Sequence, residues 1–154
     1  MKRFFIILFS SILFLPIYAE KVKKKFKLPA GTIVTIRTLE TITSQETITP
    51  SCEVNSDVWD ENGEIILVKK GTPVEVQVSS IRATSFGEGG QIIFQPISTY
   101  AFNGRLVGFD QQKVRFFGQD YTILKSRKKA VVNAGTSFRA YTANDLYFTI
   151  EVEE

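Results

Sequence analysis

The chain has 154 residues, 19 of them basic and 16 acidic, for a formal net charge of +3. It contains no histidine and one cysteine, Cys52. The lack of histidine excludes Ser-His-Asp and Cys-His catalysis and removes the commonest zinc ligand. A lone cysteine excludes an internal disulfide.

Met1–Ala19 reads as a secretory signal peptide. Lys2 and Arg3 give the positive start, "FFIILFSSILFLPIY" is the apolar stretch, and Ala19 suits the last residue before cleavage. The run is shorter than the roughly 20 residues a spanning helix needs, and Pro16 interrupts it. Cleavage removes Lys2 and Arg3 and lowers the net charge to +1, so the basic balance is no argument for nucleic acid. Residues 20–27 follow as a basic N-terminal arm, and 28–154 as a single domain. Lys21, Lys23, Lys24, Lys25 and Lys27 are read as a solvated tail or, more sharply, as a surface-binding arm for anionic lipid.

From Leu28 onward the chain alternates with period two. Val74, Val76 and Val78 face one way and Glu75, Gln77 and Ser79 the other; Leu146, Phe148, Ile150 and Val152 repeat the pattern. "DENGE" at 60–64 and "FNGR" at 102–105 carry the Asn-Gly pair of tight hairpins. "TSFGEGG" at 84–90 is a longer connection. Pro96 places its strand at an edge or at a bulge. One phrase occurs three times, in "LPAGTIVTIRT", "VKKGTPVEVQV" and "VNAGTSFRAYT". Gly31, Gly71 and Gly135 are predicted to supply turn backbone closed to other residues. Thr32, Thr72 and Thr136 are predicted to bond the turn and start the next strand. The expectation is an all-β fold, a small barrel or sandwich of about nine short antiparallel strands joined by tight turns.

Few residues suggest chemistry. Cys52 has no histidine to activate it and is expected to be buried and inert, or else an intermolecular partner. Asp57, Asp60, Glu61, Asn62 and Glu64 cluster at the first hairpin, but Val58 breaks the spacing of a calcium loop, so a polar hairpin tip is preferred. Trp59, Phe86, Tyr100, Phe102, Phe116, Phe117, Tyr121, Phe138, Tyr141, Tyr147 and Phe148 could line a lipid or saccharide cavity; core filling is preferred. Basic and aromatic residues interleave in "KVRFFGQDY", as in single-strand binders, but no nucleic acid is expected for an exported protein. No cofactor, metal or catalytic residue is assigned.

"LPAGTIVTIRTLETITSQ", "NSDVWDENGEIILVKKGTPVEV", "GGQIIFQPISTYAFNGRLV" and "VVNAGTSFRAYTANDLYF", in that order, resemble the periplasmic β-barrel domain of the type IV secretion and conjugation scaffold family. The likeness spans about Leu28 to Phe148. Family members carry a cytoplasmic tail, a transmembrane helix and a proline-rich linker before the barrel, where this chain has a signal peptide. At the family's pore helices it has "FDQQKVRFFGQDYTILKSRKKAV", too short and too charged for a membrane hairpin. The resemblance implies a reduced envelope barrel.

The expected function is a non-enzymatic envelope scaffold or interaction module, periplasmic or outer-membrane-associated in a Gram-negative bacterium. It would bind another envelope protein or itself along an exposed strand edge. The alternative is a soluble exported barrel that binds lipid or saccharide.

Overall fold

The computed structural model describes residues 21–46, 48–83, 89–118 and 128–153. The signal segment, most of the 84–90 connection and residues 119–127 lie outside the described residues. Every regular element among those described is a strand. In chain order they are β1 (Lys21–Leu28), β2 (Ile33–Thr38), β3 (Ile42–Thr43), β4 (Cys52–Val54), β5 (Val58–Trp59) and β6 (Ile66–Val68). They continue with β7 (Pro73–Ile81), β8 (Gln91–Tyr100), β9 (Leu106–Gly108), β10 (Val114–Phe117), β11 (Val131–Val132), β12 (Ser137–Tyr141) and β13 (Leu146–Glu153).

The fold is the expected all-β one, with more and shorter strands than the nine anticipated. The main sheet runs β10-β8-β7-β4-β2-β12, with β9 also on β8, and all its pairs are antiparallel. It curls until its two sides meet. Phe109 bridges Thr142, Asp110 N–H donates to the Tyr141 carbonyl at 2.8 Å, and Ala143 N–H donates to the Gly108 carbonyl at 2.9 Å. This contact closes β8, β7, β4, β2, β12 and β9 into a ring and leaves β10, paired only with β8 among the described residues, as the sheet's edge strand.

The interior is filled rather than hollow. Val34, Ile36, Val54, Ile92, Phe94 and Val107 are fully buried, and Phe94 packs against Phe138 and Phe116 at centroid distances of 5.1 and 5.5 Å. The alternation on β7 is as read, with Val74 and Val76 inward and Glu75 and Gln77 outward. Pro96 marks a bulge, not an edge. Its strand has neighbours on both sides, and Glu75 pairs with Ser98 while Val76 pairs with Pro96, leaving Ile97 as the extra residue.

The repeated phrase has one geometry. Gly31, Gly71 and Gly135 have φ of 77°, 85° and 85°. In each phrase the Thr N–H donates back to the carbonyl three residues earlier, on Pro29, Lys69 and Asn133. That is a β-turn with glycine at its third position, the type II pattern. The Gly N–H then donates to a residue on the neighbouring strand, and that residue's own N–H donates to the Thr carbonyl. The bracketed residues are Thr142 for Gly31–Thr32, Val54 for Gly71–Thr72 and Thr38 for Gly135–Thr136. Two residues thus oppose one, a bulge built on a left-handed glycine. The amide between the first turn residue and the glycine is capped each time by a side-chain oxygen. Asp145 Oδ1 takes Ala30 N–H, Asp57 Oδ1 takes Lys70 N–H, and Thr41 Oγ1 takes Ala134 N–H.

One segment departs from expectation. The basic stretch read as an arm forms β1, which pairs with β13 over its whole length, from Lys21 opposite Glu153 to Leu28 opposite Leu146. Phe26 and Leu28 are buried in the core and anchor it. The gain from burying those two side chains outweighs the ordering cost that would keep a lysine-rich tail free.

Candidate functional site

The most distinctive surface is the two-stranded ribbon of β1 and β13. Among the described residues it pairs with no other strand. Its base is clamped on both sides by hairpin tips. On the β1 side, Glu61 N–H donates to the Lys27 carbonyl at 2.9 Å, and Lys24 Nζ bonds the Glu64 carboxylate. On the β13 side, Arg105 donates to the Tyr147 carbonyl at 2.6 Å and lays its guanidinium over the Phe148 ring, which Phe102 also touches.

These clamps fix the orientation of the ribbon's backbone. Lys27 and Tyr147 oppose each other, and both direct their carbonyls outward to the clamping groups. N–H and C=O of a residue in an antiparallel strand point the same way and alternate along it. Lys21, Lys23 and Lys25 on one edge, and Thr149, Glu151 and Glu153 on the other, therefore aim their backbone groups away from the partner strand. Among the described residues, nothing accepts or donates at these positions on the outer edges. Lys21–Lys25 are all exposed, while Ile150 opposite Lys24 still packs against the core.

The five lysines divide by face. Lys24 shares the inward face with Phe26 and Leu28, and its ammonium lies 5.5 Å from the Phe26 ring centroid. Lys21, Lys23, Lys25 and Lys27 share the outward face. Lys21 reaches Glu151 at 3.9 Å, and Lys27 bonds Asp145 at 3.1 Å. The Asp145 carboxylate raises the Lys27 pKa against the opposite pull of partial burial. Among the described residues, Lys23 and Lys25 have no ion pair. The basic character of the segment is thus partly balanced by the chain's own acidic C-terminal strand.

The remaining candidates are placed as follows. Gly31, Thr32, Gly71, Thr72, Gly135 and Thr136 lie in the three strand-starting turns and bear no reactive arrangement. Cys52 is buried, and burial pushes its thiol pKa up to about 11. Asp60 is buried too, and its carboxylate accepts the amides of Asn62, Glu64 and Ile65, so it shapes the hairpin from within. No group of three His, Cys, Asp or Glu residues that could hold a metal occurs among the described residues. No helix among them is long and apolar enough to cross a membrane.

The aromatic residues depart from expectation. Phe138 and Phe148 fill the core, but Trp59, Tyr100, Phe102, Phe117 and Tyr147 are exposed; Phe86 and Tyr121 lie outside the described residues. Trp59 lies on the two-residue β5, Phe102 at a hairpin tip, Phe117 at the end of the edge strand β10, Tyr100 at the end of β8 and Tyr147 on β13, all on solvent-facing positions. A separate surface cleft of about 510 Å³ lies between β3, the 46–49 segment and the facing ends of β7 and β8, with Glu46 and Arg82 in its wall.

No protein-family model matches the chain, and no curated protein matches it.

Proposed function

We propose that the chain is an exported, non-enzymatic interaction module of the cell envelope, working in the periplasm or at the outer membrane of a Gram-negative bacterium. It is related in fold to the type IV secretion barrel and binds another envelope protein by strand addition. The terminal ribbon carries this reading. Among the described residues, the ribbon presents two open edges past its clamps, whereas the main sheet is closed except along the four-residue β10. The absence of histidine from the sequence and the buried, high-pKa thiol of Cys52 support a role without catalysis.

Proline provides the test. The Lys23 and Glu151 amides point outward, so Lys23→Pro and Glu151→Pro each block one edge while leaving the β1–β13 ladder intact. The tagged chain and both variants would be used for pull-downs from envelope extract at low and moderate salt. The expected result is a specific partner that withstands moderate salt and is lost in one of the variants. A monomer carrying bound lipid or sugar, unchanged by either proline, would overturn the proposal. It would favour the second reading, a soluble exported barrel holding its ligand in the cleft, whose volume falls in the usual range for small-molecule sites.

A further inference from the structure

We propose that the free edge of β1 takes an extended acidic segment of the partner, one that alternates carboxylates with apolar residues. This rests on the strand-edge reading above and specifies the chemistry of what binds.

The inner edge of β1 shows the pattern it accepts. There it pairs with Thr149–Glu153, "TIEVE", which sets apolar residues against Lys24 and Val22 and Glu151 directly opposite Lys23. The outer edge offers the same side chains to a second strand. Lys21, Lys23 and Lys25 line its solvent face, and Val22 is exposed on the other face. Lys23 and Lys25 lack ion pairs among the described residues, so their charge is available. Opposite charges directly across strands are favourable, and like charges are not.

A second copy of the chain does not satisfy this edge. Two β1 edges in antiparallel contact would set Lys23 against Lys23. A β1 edge against the β13 edge of another copy would match charges, but it would bring both bodies to the same side. The repeat would be two strands, about 10 Å. A folded chain of this length has a radius of gyration of about 15 Å, so the bodies would collide. A separate extended segment meets neither obstacle.

The test uses the isotope-labelled chain as its host cell processes it, titrated with a capped peptide of alternating valine and glutamate as long as β1. Amide shifts at Lys21, Lys23 and Lys25 are the readout. Binding is expected at these amides, weakened by salt, and reduced by about tenfold or more in Lys23→Pro, which removes a hydrogen bond and blocks the edge. Replacing the glutamates of the peptide with lysine should abolish it. Equal binding to Lys23→Pro, equal binding of the lysine peptide, or no shift at the three amides would each overturn the inference. So would binding only to phosphatidylglycerol vesicles, unchanged by Lys23→Pro, since that would be headgroup attraction without strand addition. An envelope partner lost in Glu151→Pro but kept in Lys23→Pro would also overturn it, while leaving the interaction-module reading intact. Peptide binding with no edge-dependent envelope partner would have the reverse effect.

Discussion

Thr38 and Thr142 do the same work at opposite ends of the β2–β12 pair. Each is bracketed by a Gly-Thr turn at the start of the other strand. Each is buried, and each donates its hydroxyl to the first carbonyl of that turn, Thr38 to Asn133 at 3.0 Å and Thr142 to Pro29 at 2.6 Å. The two strands lock one another with a device used twice.

Thr38→Val and Thr142→Val should therefore each destabilise the protein, by about 0.5–1.5 kcal/mol, because each removes a hydrogen bond between a strand end and the facing turn without adding volume, while the turn carbonyl keeps its Thr N–H donor. The sites lie at opposite ends of the pair and share no partner, so the double variant should show the sum. Chemical denaturation measures this. Unchanged midpoints would mean that the hydroxyls are dispensable and the backbone exchange alone holds the ends.

Gly71→Val should cost on the order of 1–3 kcal/mol. A Cβ at Gly71 would meet nothing within 4 Å, so the penalty comes from the positive φ rather than from a clash at the Cβ. Gly71→Asn should cost less, since asparagine tolerates that region. Gly118→Ala tests a different cause, because its Cβ would lie 2.6 Å from the Lys128 carbonyl. Thermal unfolding should rank valine above asparagine at position 71; equal losses would remove the backbone explanation.

Acid should weaken the first hairpin. Burial pushes the Asp60 pKa up, but the amides of Ile65, Asn62 and Glu64 outweigh it and hold the carboxyl below its ordinary 3.8. The folded state then binds this proton less readily than the unfolded one. The stabilisation is complete above 3.8 and disappears as pH falls through the lower folded value. Asp60→Asn should be less stable at neutral pH and should lose less stability across that acid window. Parallel curves for the two proteins would show that Asp60 is not the titrating group.

Cys52 should resist alkylation in the native protein at mildly alkaline pH, since its thiol is buried with a pKa of about 11. Iodoacetamide with mass spectrometry should find modification only after denaturant is added. Rapid native labelling would place the thiol in an opening segment.

Much of the architecture was legible in local pattern. The two Asn-Gly hairpins, the alternation on β7 and β13 and the turn-forming glycines are all matters of neighbouring residues. Pro96 was half legible, since a proline restricts its strand to a bulge or an edge but does not say which. The ribbon was not legible, because "KVKKKFKL" reads by charge as solvated. Yet Val22, Phe26 and Leu28 keep a strand's alternation within it. Its partner lies at the other end of the chain, and no local rule links the two. The equivalence of Thr38 and Thr142 did have a signal. "AGTIVTIRTLET" and "AGTSFRAYTAND" place the bracketed threonine and the capping oxygen at the same distances from Gly-Thr. The exposed aromatics had none, because exposure depends on how far the curled sheet reaches.

The pairing of β1 with β13 imposes an order of events. The first described strand finds its neighbour only in the last one, so a chain made or threaded from its N-terminus holds β1 alone until β2 to β12 have all emerged. Pairings this distant in sequence form slowly, because the intervening chain must be closed into a loop first. During that wait β1 is bare on both edges, and its five lysines repel other copies of itself. Charge that is half neutralised in the finished fold thus guards the strand during the interval before folding is complete.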